Sequence, residues 1–393
     1  MPDHIRRSGG ALCAVLLAAA LTACGSHDDG AVRRPATVAG KQHRSAPLPI
    51  PRGKGSKVPS DFNGDGAPDL VIDDLAHDGL GDDPGIGVVY GRKGHGLVFA
   101  TRQLLTPAKY AARTKGRAPA TFASEASCDL DRDGYADLVV STDPPYDGQG
   151  MPPVPLQILF GSPTGISGKG VTLKIPARAR FGNEWPDQPV CGDFDGDGRD
   201  DLVVHASGGR LSVLPGPFTR AGAPRGTAGI AQAGGNVPTG PAADLNGDGA
   251  DDVLVRAHAG TARSSVALGG PNGFTKGATY PSGTAAAAGR FGVAVLGKDG
   301  LRLGGRALDV TGGRLLPAGR DVLVSDADTT YLIHAGKAHR LPAKGHAIAA
   351  ADYDGDGHID AALQSATPDR LTIVPSSTRS PRHPAFTTRD FTD

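Results

Sequence analysis

The chain is short of most of what a catalytic or membrane-embedded protein needs. Its 393 residues include one tryptophan, two methionines and only two glutamates, Glu125 and Glu184. No His-Glu-x-x-His, Gly-x-Ser-x-Gly or P-loop pattern occurs, no Gly-x-Gly-x-x-Gly opens a helix, and the histidines stand singly. Neither sign of charge dominates, with 41 basic and 41 acidic residues, so there is no electrostatic footprint for nucleic acid or an anionic lipid surface. The longest apolar run, Ala11 to Leu21, covers about 11 residues and cannot span a bilayer as a helix. Four cysteines leave little scope for a disulfide framework.

The N-terminus reads as an export signal. Arg6 and Arg7 precede the apolar run, which ends in Leu21-Thr22-Ala23-Cys24. That ending resembles the lipobox of bacterial lipoproteins. The resemblance implies a signal peptide over residues 1–23, cleavage before Cys24, and acylation of its sulfur. Residues 24–56, rich in Pro, Gly, Arg and Ser, read as a lipid-anchored flexible tether. The expected location is the outer face of a bacterial cell membrane, with the lipid as the sole membrane contact, or outside the cell as a secreted protein.

What the chain does have is a repeat. Five segments, Asp61–Asp69, Asp129–Asp137, Asp193–Asp201, Asp244–Asp252 and Asp352–Asp360, fit D-x-[DN]-x-D-G-x-x-D, and each leads at once into an apolar stretch such as Leu138-Val139-Val140. Calcium seeks six to eight oxygens at about 2.3–2.6 Å, and a tightly curled loop can supply them. The side chains at positions 1, 3 and 5 are the first candidates: Asp61, Asn63, Asp65; Asp129, Asp131, Asp133; Asp193, Asp195, Asp197; Asp244, Asn246, Asp248; Asp352, Asp354, Asp356. Position 7 offers its backbone carbonyl (Ala67, Tyr135, Arg199, Ala250, His358), and the carboxylate at position 9 (Asp69, Asp137, Asp201, Asp252, Asp360) can close the shell. Glycine at position 6 allows the sharp bend. An EF-hand would need Glu at position 12, where this chain has Ile72, Val140, Val204, Val255 and Leu363. Those residues suit strands.

The five loops and their flanking strands resemble the FG-GAP/VCBS repeats of integrin α-chain propellers and many secreted bacterial proteins. The resemblance covers residues 57–393 and implies an all-β propeller, with each loop joining the first and second strands of a blade and about five structural calcium ions at one rim. Seven blades are expected, with six as the alternative. The first is expected to start with a strand at Lys57–Phe62 and the second at Thr121–Cys128. Two more blades, around Gly292–Leu296 and Asp321–Val324, lack loops.

Cys128 and Cys191 end the inner strands of adjacent blades, which makes a bridge between them possible. Trp185, on the connection entering the third blade, reads as a filler between blades, or alternatively as an aromatic that stacks on a sugar or a partner. The longer connections 74–85 and 143–153, on the rim opposite the loops, are the expected recognition surface. The function expected is a non-catalytic binding, adhesion or scaffold module whose ligand is a protein or carbohydrate. Two alternatives are a propeller enzyme acting on polysaccharide or phosphodiester through Glu125 or Glu184, and a structural accessory of an envelope complex.

Overall fold

The computed structural model describes residues 46–76, 84–143, 154–226, 237–256, 263–365, 369–375 and 384–391, with backbone alone for 228–232. The expected signal peptide, Cys24, most of the tether, His77, His258 and the greater part of both long connections lie outside the described residues.

Seven antiparallel sheets follow one another along the chain and form a seven-bladed β-propeller. The first holds β1 (Leu70–Ile72), β2 (Ile86–Arg92) and β3 (Gly96–Leu105), and the second β4 (Thr121–Cys128), β5 (Asp137–Asp143), β6 (Gln157–Leu159) and β7 (Val171–Thr172). The third holds β8 (Asp187–Gly192), β9 (Asp201–His205), β10 (Arg210–Leu214) and β11 (Ala228–Gln232), and the fourth β12 (Val237–Ala243), β13 (Asp252–Arg256), β14 (Arg263–Leu268) and β15 (Thr275–Pro281). The loop-free fifth and sixth are β16 (Ala285–Gly289), β17 (Gly292–Gly297), β18 (Gly300–Leu303), β19 (Arg306–Leu308), then β20 (Arg314–Ala318), β21 (Asp321–Ser325), β22 (Thr330–His334), β23 (Lys337–Arg340). The seventh closes with β24 (His346–Ala351), β25 (Asp360–Ser365), β26 (Arg370–Val374) and β27 (Ala385–Thr387). Among the described residues, no helix is long and apolar enough to cross a membrane.

The second strand of each blade explains why continuous apolar runs were needed. Successive strand residues point to opposite faces, and a blade is covered on both. Leu138 and Val140 pack toward the first blade with Ile86, Val88 and Tyr90, whereas Val139 between them packs toward the third with Leu202 and Val204. The same alternation recurs around the ring. Val203 joins Val253 and Val255, Leu254 joins Val293 and Val295, Leu296 joins Val322 and Val324, and Leu323 joins Ala361 and Leu363. Ala362 then meets Leu70 and Ile72 of the first blade and completes the circle.

The ring closes side by side. Among the described residues, neither terminus adds a strand to the other's sheet. Phe99, Phe386 and Phe391 pack at this seam, Arg102 Nε donates to the Asp390 carbonyl at 3.0 Å, and Gln364 Nε2 donates to the Asp74 carbonyl at 2.6 Å.

The first blade departs from expectation. Lys57–Phe62 is not a strand, and among the described residues the sheet has three strands. Pro59 has no N–H to give to a ladder, and the preceding donors are used elsewhere: Gly53 bonds the Asn63 carbonyl, Lys54 and Gly55 that of Gly64, and Ser56 that of Gly134. Residues 46–56, assigned to the tether from composition, are thereby part of the folded body, and Leu48 N donates to Ala100 O at 2.7 Å. At Gly53 the approach is so close that a Cβ would lie 2.0 Å from the Gly64 carbonyl carbon.

Inner strands of the loop-bearing blades are bulged, with register shifts in β4, β8, β12 and β24. Those of the fifth and sixth blades pair without interruption and turn through two residues, Arg290-Phe291 and Gly319-Arg320. The bulge accompanies the longer loop.

Candidate metal centres

All five Asp-rich loops adopt one hydrogen-bonded form. The position-1 carboxylate gathers the turn: its Oδ1 accepts the N–H of position 5 at 3.0–3.3 Å and its Oδ2 that of position 6 at 2.7–3.0 Å. Position 6 is left-handed throughout, from Gly66 (φ 88°) to Gly357 (φ 86°), as the glycine there implied. Position 4 is left-handed too. Glycine occupies it in four loops, but the second has Arg132 at φ 63°.

Position 9 has a second task that its place in the motif did not reveal. The Oδ2 atoms of Asp69, Asp137, Asp201, Asp252 and Asp360 accept the backbone N–H of their own loop's second residue at 2.9–3.2 Å. The Oδ1 atoms of the first four accept from Gly91, Gly161, Gly216 and Gly269, the glycines at the exit of the third strand, at 2.7–2.9 Å. A Cβ on any of these glycines would stand 2.1–2.4 Å from the carbonyl oxygen of position 8. In the second, third and fourth blades this aspartate therefore braces three strands. Each oxygen keeps a further lone pair, so the brace is compatible with a place beside a cation.

Position 8, an unspecified residue in the motif, reaches the preceding blade. Asp200 Oδ2 accepts the N–H of Asp129 at 3.0 Å, and Asp251 Oδ2 accepts that of Asp193 at 2.9 Å. Ile359 lies against Gly319 of the sixth blade's turn. Beside these contacts a disulfide joins Cys128 and Cys191, whose Cα atoms are 6.1 Å apart.

The electrostatics of the loops suit a bound cation. In three loops, carboxylate oxygens of Asp129, Asp131 and Asp137, of Asp193, Asp195 and Asp197, and of Asp352, Asp354 and Asp356 lie within 4.8 Å of one another. The Asp131 side chain is only 6% exposed, and its Oδ1 is buried without a hydrogen-bond partner. Burial and the neighbouring Asp133 push Asp131 up to about 6, against the opposing pull of Arg220. Burial lifts Asp200 to about 6 and Asp201 to about 7, and holds Asp69 and Asp137 well above the usual carboxylate range. An all-oxygen donor set with an orphaned buried oxygen suits a hard divalent cation such as calcium. The first and fourth loops have an amide at position 3. Asn63 Nδ2 donates to the Pro51 carbonyl, and Asn246 Nδ2 to Asp248.

Two arginines that no motif singled out also touch the loops. Both lie on the connection from β10 to β11. Arg220 pairs with Asp131 and Asp133 of the second loop, and its guanidinium lies 4.4 Å from the ring centre of Phe160. Arg225 lies 2.9 Å from Asp197 and 3.5 Å from Asp195 of the third. Burial would raise Asp197, but hydrogen bonds from Arg225 and from Arg199, 2.6 Å away, outweigh it and lower its pKa.

The opposite rim holds an axial cavity of about 500 Å³. Inner strands begin there, so the cavity is ringed by Thr284, Arg314 and His346 at or beside the starts of β16, β20 and β24. Arg256, Asp73 and Asp74 add charge to the lining. Because the first blade lacks an innermost strand, the cavity extends to Val71 of β1. Burial, with Arg314 beside it, lowers the pKa of His346, whereas Asp74 opposes the shift.

Glu184 and Trp185 border a cleft of about 270 Å³ together with Leu173 and Arg180. Trp185 is half-buried there, with Lys115 Nζ 5.9 Å from its ring centre, so it edges an open cleft instead of filling an interface between blades. Glu125 stands on β4, its carboxyl raised by the surrounding protein, with a bond to Ser141 opposing and the charge of Asp187 adding.

Residues 193–255, from the third loop through most of β13, match the FG-GAP-like repeat family. Solved structures similar to this chain include two crystal structures of BBS1N in complex with ARL6DN. The one soaked with lead is 13% identical, with 85% of this chain and 94% of that chain covered and a TM-score of 0.46. The one soaked with mercury is 14% identical, with 86% of each covered and a TM-score of 0.32. A third is the V. cholerae biofilm matrix protein Bap1, 11% identical over 86% of this chain and 84% of that one, with a TM-score of 0.26. No curated protein sequence matches this chain.

Proposed function

We propose that this chain, an FG-GAP repeat β-propeller, is a calcium-stabilised, non-catalytic binding module displayed on the outside of a bacterial cell. The observation that carries the calcium reading is the Asp131 side chain, almost wholly buried with one oxygen unpartnered among three carboxylates. Calcium at such a loop ties the end of an inner strand to the start of the next. A ligand that binds only the folded state stabilises it by about 2.7 kcal/mol per site at a hundredfold excess over Kd. Five modest sites therefore have a large combined effect.

Recognition belongs to the opposite rim, where the axial cavity gathers Arg256, Arg314, His346, Asp73 and Asp74 over an apolar floor. Such a mixture suits a polar ligand, protein or carbohydrate, held by a few placed charges. An export leader and an acylated Cys24 would hold the disc outside the membrane with that rim free to bind. Two measurements test the reading. Equilibrium dialysis of the metal-free protein should recover about five calcium ions per chain, and none bound at millimolar calcium would end the proposal. Crosslinking on intact cells should trap a partner that Arg314→Ala releases, and equal capture by the variant would move recognition away from the cavity.

A further inference from the structure

We infer that Arg220 and Arg225 are resident counter-ions of the second and third loops, which calcium has to displace, so that these two sites bind calcium more weakly than their charge implies. The inference rests on the calcium reading above.

The loops differ in charge at their four side-chain ligand positions. The first and fourth have three aspartates and an asparagine, whereas the second, third and fifth have four aspartates each. The arginines go to two of these three more acidic loops. Arg220 pairs with positions 3 and 5 of the second loop, and Arg225 with positions 3 and 5 of the third. Each brings the local charge of its loop back toward that of the asparagine loops. Positions 3 and 5 are two of the side chains a cation needs, so guanidinium and metal compete for the same carboxylates.

Their backbone is anchored independently of these pairs. Within the connection Gly222 N bonds Thr219 O, Thr219 N bonds Ala223 O and Arg225 N bonds Pro215 O. Phe218, itself buried, donates its N–H to Leu130 O of the second loop. Both guanidinium-bearing side chains are about half exposed, at 52% and 45%, so they can swing into solvent while the connection stays in place. The ends of one short connection thus set the affinity of sites on two blades.

The test is a calcium titration of metal-free wild type, Arg220→Gln, Arg225→Gln and the double variant, with Arg178→Gln as a surface control. Each single variant should tighten one site by about tenfold, the effect of removing one competing unit charge a few ångströms from a divalent ion in a partly hydrated site. The double variant should tighten two sites and leave the others alone. The Arg220 Nε–H resonance, which reports its bond to Asp131, should move on adding calcium to the wild type. Calcium bound with unchanged affinities in all variants and an unmoved resonance would overturn the counter-ion role while leaving the calcium reading intact. Absence of calcium from wild type and variants alike would remove the calcium reading, and this inference with it.

Discussion

The rings of Phe99 and Phe386 lie 4.2 Å apart, centre to centre, across the seam between the first blade and the last. Since no described residue at either end completes the other's sheet, side-chain packing at this seam takes the place of a shared strand. Phe386→Ala should destabilise the propeller by about 2–3 kcal/mol, as truncation of a packed aromatic does. Denaturant unfolding measures it. A loss under about 0.5 kcal/mol, the range of an ordinary surface change, would show that the seam is held elsewhere.

Asp201 and Asp195 separate bracing from metal binding. Asp201 accepts two backbone N–H groups, and an amide nitrogen in place of one oxygen cannot accept. Asp201→Asn should therefore cost about 1–3 kcal/mol in the presence of chelator as well as in calcium. Asp195→Ala should weaken one calcium site and scarcely alter the chelated protein. Equal behaviour of the two variants in chelator would contradict the division of labour.

Arg132 is the one non-glycine residue at position 4, where the backbone is left-handed in all five loops. Relief of that conformation makes Arg132→Gly stabilising by about 1 kcal/mol, against the usual cost of glycine in a flexible chain. A melting curve at fixed calcium reads the change, and a fall in stability would show that the arginine side chain contributes more than its backbone loses.

Raised carboxylate pKa values give the metal-free protein an inverted pH dependence. Folded Asp131 and Asp200 titrate near 6 and Asp201 near 7, against about 3.9 in an unfolded chain. The folded state thus holds protons more tightly. Its stabilisation is full below the unfolded value and is lost as pH rises through the folded ones. Asp197 and Asp244, shifted downward, act in the opposite sense. Metal-free protein should melt at lower temperature at pH 7.5 than at pH 5, and saturating calcium should remove the difference. A melting temperature that climbs with pH in the absence of metal would refute the electrostatic picture of the loops.

Much of this architecture was legible because the repeat writes the same physics several times. Leu138-Val139-Val140 and its counterparts had to be strands covered on both faces, and a ring of blades is what covers them. Even the loop-free blades could be placed, since Gly292 and Asp321 open strands of the same kind. What stayed hidden depends on contacts between distant parts of the chain. The donors of Gly53 to Ser56 chose loop carbonyls over a strand, a competition invisible in local pattern. Asp200 and Asp251 look like spare acids until their partners on the preceding blade are seen. Arg220 sits 87 residues from Asp133 in sequence, and nothing around it marks it as that loop's counter-ion. The axial cavity follows from ring closure and from the absent inner strand of the first blade.

The link between Cys128 and Cys191 spans 63 positions of the chain. Three strands of the second blade and the first of the third, β5 to β8, lie inside that covalent loop. A pull on the two ends of the molecule would travel through the sulfur atoms and bypass them. Under tension, the stretch between the cysteines would remain slack and folded while its neighbours unravelled, and only reduction of the bridge would put it in the path of the force.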